Sequence, residues 1–185
     1  MKTITQDITL YQFDELSDRA KDNAIESMGA NDMEHERFEI RKTIQAFEEH
    51  MNVTLDWEID YTDSMPTKPT RASVPWYLED ADDPENIESL KDAVESLGSY
   101  DPETLKGYGD CVLTGVIYDE EIADGARYAF YREGSTDRAY VAKRGMDFLE
   151  KTIHQEYAYK SSYEHASELA DANDYWFTEN GRLWG

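Results

Sequence analysis

Residues 83–98 read DPENIESLKDAVESLG and predict an amphipathic helix that is marked at both ends. Asp83 suits the N-cap, Pro84 suits the first helical position, and Gly98 suits the stop after the last turn. At about 100° per residue the apolar side chains form one stripe, which we expect to be buried. The stripe consists of Ile87, Leu90, Val94 and Leu97. The opposite side consists of Glu85, Glu88, Asp92 and Glu95, with Lys91 at its edge.

Alternation of apolar and polar side chains predicts strands elsewhere in the chain. Residues 53–61, VTLDWEIDY, alternate most regularly, and residues 3–11 show the same pattern. Another strand is predicted over residues 111–118, which follow the turn-forming residues 106–110. The outer face of the strand over 53–61 would carry Asp56, Glu58 and Asp60. Three prolines predict a loop over residues 65–75, because proline cannot donate a ladder hydrogen bond.

Two helices are predicted before the strand over 53–61. The first begins after the N-cap Ser17 and ends near Met28, where Gly29 is a stop signal. The second covers about residues 33–51. Its inward side chains are expected to be Phe38, Ile40, Ile44 and Phe47.

Two more helices are predicted near the C-terminus. One covers about residues 137–160 and tolerates Gly145 in its interior. The other extends to about residue 172 and begins with a capping box formed by Ser161 and Glu164. Asn180-Gly181, which lies between aromatic and aliphatic residues, then predicts a hairpin turn.

The elements together predict an α+β fold. We expect about five helices packed on a small, mostly antiparallel sheet of three to four strands. A chain of 185 residues is long enough to bury one core, so a single domain over residues 1–185 is expected.

The charge of the chain is strongly negative and unevenly distributed. It has 41 Asp and Glu against 18 Lys and Arg, a net charge of −23. Residues 1–126 carry −21, residues 127–160 carry +2 and residues 161–185 carry −4. Nucleic acid and anionic membranes would be repelled, so the expected partner is the basic surface of another protein. No signal peptide or membrane span is evident, which predicts a cytoplasmic protein.

Carboxylates recur in regular rows on three predicted elements, and these rows form the candidate partner-binding surface. Residues three or four apart on a helix lie about 5–6 Å apart, and alternate strand residues lie about 7 Å apart. Such spacing resembles the phosphate array that basic nucleic-acid channels bind. The helical rows are Asp18, Asp22 and Glu26, and Glu85, Glu88, Asp92 and Glu95. The strand row is Asp56, Glu58 and Asp60, and the loop before Pro84 adds Asp80 and Asp82.

Patterns for other chemistry are missing. The acidic loop before Pro84 lacks the ligand spacing and central glycine of an EF-hand. No two of the four histidines have the spacing of a helical zinc site, and Cys111 suits a buried structural thiol. There is no phosphate-binding glycine motif and no nucleophile elbow. We therefore predict no catalytic, cofactor or metal site, and a binding protein in preference to an enzyme.

Three stretches resemble a group of small phage and prophage proteins. They are residues 11–21 (YQFDELSDRAK), 109–115 (GDCVLTG) and 172–182 (ANDYWFTENGR). The first and last match the group's pattern closely, whereas the middle one departs from its usual serine- and glycine-rich form. The resemblance implies a phage origin and therefore the cytoplasm of a host cell. Small acidic phage proteins often inhibit host nucleases or CRISPR complexes by imitating nucleic acid, and this analogy suggests an anti-CRISPR or anti-restriction protein.

The leading hypothesis is therefore an inhibitor that occupies the basic groove of a host defence enzyme. One alternative is a non-mimic interaction protein, an antitoxin or phage regulator, which binds through Trp176, Trp184 and Tyr157. An enzyme with scattered carboxylates and a salt-adapted acidic domain of the halophile type are further alternatives. The oligomeric state stays open, a homodimer included.

Overall fold

A computed structural model of the chain describes residues 7–29, 34–58, 71–108, 113–115 and 118–184. These residues form a mostly helical α+β fold with six α-helices. The helices are α1 Asp18–Met28, α2 Glu34–Met51, α3 Pro84–Glu95, α4 Asp119–Arg127, α5 Arg138–Lys160 and α6 Tyr163–Ala172. The strands are β1 Thr54–Leu55, β2 Ala72–Ser73, β3 Trp176–Phe177 and β4 Leu183–Trp184. Short 3-10 helices cover Phe13–Glu15 and Trp76–Leu78, and a π-helix covers Tyr128–Arg132.

The strands are shorter than expected, and a sheet of three to four strands is not confirmed. In the described residues β1 pairs only with β2 and β3 pairs only with β4, both antiparallel. The alternation predicted from residue 53 does hold, because Val53 and Leu55 are buried while Asp56 and Glu58 are exposed. Strand β1 nevertheless ends at Leu55, beyond which the Asp56 amide donates to the Arg71 carbonyl oxygen at 2.9 Å, and residues 59–61 lie outside the described residues.

Two other predicted segments differ from the expectation. β2 lies inside the predicted proline loop, whose residues 65–70 are outside the described part of the chain. Of the predicted strand over 3–11, the described residues begin at Asp7, and only Tyr11 forms a bridge, with Phe177. The predicted strand over 111–118 is described only at residues 113–115 and 118, so its Cys111 is not covered. Tyr118 is the buried N-cap of α4.

The chain divides into two compact units. Unit one consists of Met1–Asp32 and Gln155–Gly185, and unit two consists of Met33–His154. The rows of carboxylates on α1 and α3 therefore belong to different units. A single domain over the whole chain stays a prediction.

In unit one, α1 packs against the hairpin of β3 and β4. Thr178 and Arg182 close a three-residue loop in which Gly181 has φ 82°, the left-handed conformation that the Asn-Gly signal predicted. A Cβ on Gly181 would overlap the Ala20 carbonyl group, so only glycine fits there. Ser27 Oγ donates to the Gly181 carbonyl oxygen at 3.1 Å and fixes the turn on α1.

The start of α6 differs by one residue from the prediction. Its N-cap is Ser162, whose Oγ accepts from the His165 amide at 3.1 Å. Ser161 instead continues the last turn of α5, since its amide donates to the Tyr157 carbonyl oxygen at 3.0 Å.

In unit two, Phe38 is exposed although we expected it to be buried. The buried residues of α2 include Ile40, Ile44, Phe47 and Met51. Phe38 and Ile40 are two residues apart, which is a rotation of about 200° around the helix axis. Because Ile40 faces the core, Phe38 lies on the opposite side of the helix. Its ring is 59% exposed and lies 4.4 Å from Lys42 Nζ.

The close crossing of α4 and α5 depends on two glycines. A Cβ on Gly125 would lie 2.5 Å from the Arg144 carbonyl oxygen, and one on Gly145 would lie 2.8 Å from the Ile122 carbonyl oxygen. Gly145 is therefore a packing requirement, and the expectation that it is merely tolerated is wrong. Helix α4 itself was not predicted.

The substitution Gly125→Ala tests this crossing. In an open helical site, Gly→Ala stabilises a protein by about 0.4–1 kcal/mol. At residue 125 the new methyl group meets backbone atoms, so we expect a loss of about 1–3 kcal/mol in the free energy of unfolding, measured by urea denaturation. A stabilised variant would contradict the close crossing.

Candidate functional site

Helix α3 presents the most regular of the predicted rows. Its N-cap Asp83 accepts from the Glu85 amide at 2.9 Å, and Pro84 occupies the first turn as expected. Leu90, Val94 and Leu97 are buried. The inner face is therefore fixed by apolar packing, and this packing decides which side chains point outward.

The outward face is the acidic row, by which we mean Glu85, Glu88, Asp92 and Glu95. All four side chains are exposed. From Glu85 to Glu95 the row covers eleven residues, about 15 Å along the helix axis. In the described part of the chain one cation contacts it, since Lys91 Nζ lies 3.4 Å from Glu88 Oε1. The Tyr131 hydroxyl donates to Glu95 Oε1 at 3.1 Å.

The C-terminal end of α3 is an unfavourable place for these charges. The helix macrodipole favours cations there, whereas the last turn holds Asp92 and Glu95 and no basic residue. Cationic and polar groups from other elements compensate. Arg127 Nη2 donates to the carbonyl oxygens of Leu97 at 3.0 Å and Gly98 at 3.4 Å. His50 Nε2 lies 2.9 Å from the Ala93 carbonyl oxygen, which requires the proton on this nitrogen.

Arg127 is itself buried, with 1% of the residue exposed. Its Nη1 donates to Asp124 Oδ1 at 2.9 Å, and the same oxygen accepts from the Gly107 amide at 2.9 Å. Burial raises the pKa of Asp124, while the Gly107 amide and the guanidinium of Arg127 oppose that rise. The ring of Tyr100 lies 5.0 Å from the guanidinium carbon. This cluster binds residues 97–107 to α4.

A second guanidinium, that of Arg138, lies beneath the inner face of α3. Nη1 donates to the Met51 carbonyl oxygen and Nη2 donates to Ser89 Oγ, both at 2.9 Å. Its partners are neutral, and burial lowers the pKa of Arg138. The positive charges of Arg127 and Arg138 are thus withdrawn from the surface of unit two, as is the negative charge of the buried Asp119.

The other predicted residues occupy separate places. Asp80 and Asp82 are exposed in the loop before α3, where Asp80 Oδ1 accepts from the Asp82 amide at 3.0 Å. Asp56 and Glu58 are exposed beyond β1, and Asp60 lies outside the described residues. The row on α1 is exposed in unit one; it consists of Asp18, Asp22 and Glu26. Tyr163 donates its hydroxyl to Asp22 Oδ1 at 2.8 Å and partly occupies that row.

Two exposed aromatic residues next to the acidic loop were missed at the sequence level. Trp76 is 82% exposed and Tyr77 is 53% exposed, at the start of a 3-10 helix that follows Pro75. The sequence signal that could have identified them is their position between Pro75 and the acidic stretch over residues 79–83. The other predictions used the regular spacing of apolar residues along a helix or strand, and two adjacent residues are too few to show such a spacing.

Two classes of site find no support in the residues that the structure covers. No group of three or more His, Cys, Asp or Glu side chains there could hold a metal ion. Within the same residues, no helix has the length and apolar character needed to cross a bilayer.

Comparisons with protein-family models, curated proteins and solved structures give no match to this chain.

Proposed function

We propose that the chain inhibits a host nucleic-acid-binding defence enzyme, a CRISPR effector or a restriction nuclease. It would do so by binding, with an acidic surface, the basic groove that otherwise holds nucleic acid. The observation that carries this proposal is the acidic row on α3, four exposed carboxylates with one ion-pair partner among the described residues.

Charge and geometry support binding to arginine and lysine. Neighbouring carboxylates in the row lie about 5–6 Å apart, and each can accept paired hydrogen bonds from one guanidinium. The four charges repel one another by about 0.2–0.5 kcal/mol per neighbouring pair, a cost that a basic groove would reverse. The buried Arg127 and Arg138 stabilise the helix from inside without neutralising its outer face.

The remaining parts of the proposal concern the cellular setting. The resemblance to phage proteins favours action in the cytoplasm of a host cell. A binding protein of this kind needs no cofactor and no catalytic residue, and its partner is a basic protein surface in place of nucleic acid or a membrane. The carboxylates of the loop before α3, Asp80 and Asp82, would extend the contact.

Neutralising the acidic row tests the proposal. The variant Glu85→Gln, Glu88→Gln, Asp92→Asn and Glu95→Gln keeps the shape of each side chain. Purified CRISPR effectors and restriction endonucleases are assayed for DNA cleavage with and without the protein. We expect inhibition that excess DNA overcomes, and a loss of at least about a hundredfold in potency for the variant.

A matched control changes the net charge equally in unit one. Its substitutions, all at exposed positions, are Glu164→Gln, Asp171→Asn, Asp174→Asn and Glu179→Gln. If both variants lose the same potency, net charge and not the row is responsible. Undiminished inhibition by the folded row variant would contradict the proposal.

A second candidate function rests on the hairpin of unit one. Trp176 and Trp184 lie directly opposite each other on β3 and β4, and they are 37% and 51% exposed. A non-mimic interaction protein, an antitoxin or phage regulator, could bind through this pair. Its affinity would change little between about 50 and 200 mM salt, whereas a charge mimic weakens steeply. A salt-adapted acidic domain would instead lose its fold at low salt, which a melting curve against NaCl detects.

A further inference from the structure

Trp76 is the most exposed large hydrophobic residue among those that the structure describes. Its ring meets that of Tyr77 edge-on, with centroids 5.8 Å apart. The Tyr77 hydroxyl accepts from Asn52 Nδ2 at 3.3 Å, which ties the pair to the end of α2. Large aromatic side chains on a surface are typical of residues that anchor an interface, because they offer a large contact area with few rotatable bonds.

The surroundings of this aromatic pair are purely acidic along the chain. No lysine or arginine occurs between Arg71 and Lys91, while six Asp and Glu residues do. Three of them follow Trp76 closely and are exposed: Glu79, Asp80 and Asp82. The loop that carries them is joined to the first turns of α3, since Asn86 Nδ2 donates to the Asp80 carbonyl oxygen at 3.0 Å.

Two exposed rings elsewhere in unit two already have a cation of the chain itself. Lys42 Nζ lies 4.4 Å from the Phe38 centroid, and Arg144 lies 5.9 Å from that of Tyr128. The ring of Trp76 has Tyr77 as its aromatic neighbour and no cation from the described part of the chain. Its face is therefore free to receive one from a partner.

We propose that Trp76 binds an arginine side chain of the basic partner, with the guanidinium stacked on the indole face and paired with carboxylates of residues 79–82. This inference rests on the proposed function and names how the partner is recognised. Tryptophan is the best aromatic ring for a cation–π contact, and a planar guanidinium can stack and form hydrogen bonds at once. A lysine ammonium is more strongly hydrated and cannot stack, so the site selects arginine over lysine.

The experiment uses oligoarginine and oligolysine peptides of equal length as probes, with affinities measured by calorimetry on the full chain. We expect the wild-type protein to bind oligoarginine more tightly than oligolysine. Trp76→Leu should weaken oligoarginine binding by about two- to thirtyfold and leave oligolysine binding nearly unchanged. Trp76→Phe, whose ring binds cations more weakly, should have an oligoarginine affinity between those of wild type and Trp76→Leu. Phe38→Leu, at an exposed ring of unit two that already has Lys42 over it, is the matched control and should bind as the wild type does.

The possible results separate the two proposals. Equal affinity of wild type for both peptides, or an unchanged preference in Trp76→Leu, overturns the arginine site. An equal loss for both peptides in Trp76→Leu also overturns it, because it indicates a general apolar contact. Failure of the proposed function would be detected by a different measurement. The variant neutralised in the acidic row would then still inhibit the nuclease, independently of the peptide affinities.

Discussion

Arg127→Met is expected to lower the free energy of unfolding by about 3–5 kcal/mol, measured by urea denaturation followed by circular dichroism. The guanidinium is almost fully buried and donates to Asp124 and to the carbonyl oxygens of Leu97 and Gly98. Methionine fills a similar volume, so packing is largely kept. What is lost is the charge that balances a partly buried carboxylate and the C-terminal end of α3.

Arg138→Met is the control for Arg127→Met. Arg138 is also buried, but the partners that its Nη1 and Nη2 contact are a carbonyl oxygen and a hydroxyl. Removing it leaves no carboxylate buried without its cation, so we expect a smaller loss of about 1–3 kcal/mol. The double variant Arg127→Met with Asp124→Asn should recover part of the stability, because the carboxylate is gone as well. Equal losses for Arg127→Met and Arg138→Met would contradict this assignment.

The dependence on pH gives an independent check on Asp124. Burial already raises its pKa in the wild type, and the loss of Arg127 removes one of the groups that lower it. Between the unfolded and the folded pKa the folded protein binds more protons than the unfolded chain, so stability falls as pH rises through that window. The difference in free energy of unfolding between wild type and Arg127→Met should therefore be largest at pH 7 and smallest below about pH 4. A deficit that does not change with pH would exclude Asp124 as its source.

Local signals predict several helix ends, although α3 ends at Glu95, before the predicted stop at Gly98. The amide of Ala20 donates to Ser17 Oγ at 3.4 Å, and Gly29 ends α1 in the left-handed conformation, as both residue types indicated. The two faces of α3 are likewise confirmed, because Leu90 and Val94 are buried and the acidic row is exposed. These features depend on neighbours within a few residues in sequence.

Features that depend on distant residues could not be predicted in this way. Helix α4 follows a stretch that we predicted to be a strand. Its own apolar pattern is limited to Ile122, Ala123 and Ala126, which is too short to indicate a helix. No sequence pattern distinguishes the buried Arg127 from an exposed arginine, since burial is decided by the packing of α3 against α4. The exposure of Trp76 is likewise decided by tertiary packing, since no element of the described residues covers its ring.

Asp119→Ala is expected to lower the free energy of unfolding by about 4 kcal/mol or more. This loss is at least as large as the one expected for Arg127→Met. The carboxylate of Asp119 is fully buried at the start of α4. Its Oδ1 accepts from the hydroxyls of Thr43 and Thr114, both at 2.8 Å, and its Oδ2 accepts from the amides of Thr114 and Gly115, both at 2.7 Å. One side chain thus joins α2, α4 and the segment over residues 113–115.

The size of this effect follows from what remains after the carboxylate is removed. Four donors lose a charged acceptor in a place that water reaches poorly, and each such loss costs about 1–3 kcal/mol. Asp137→Ala is the matched control, because Asp137 is an exposed aspartate at the start of α5 whose Oδ1 accepts from the Tyr140 amide at 3.2 Å. Losing that single cap should cost about 1 kcal/mol. If chemical denaturation gave the two variants equal midpoints, Asp119 would not hold these three segments together.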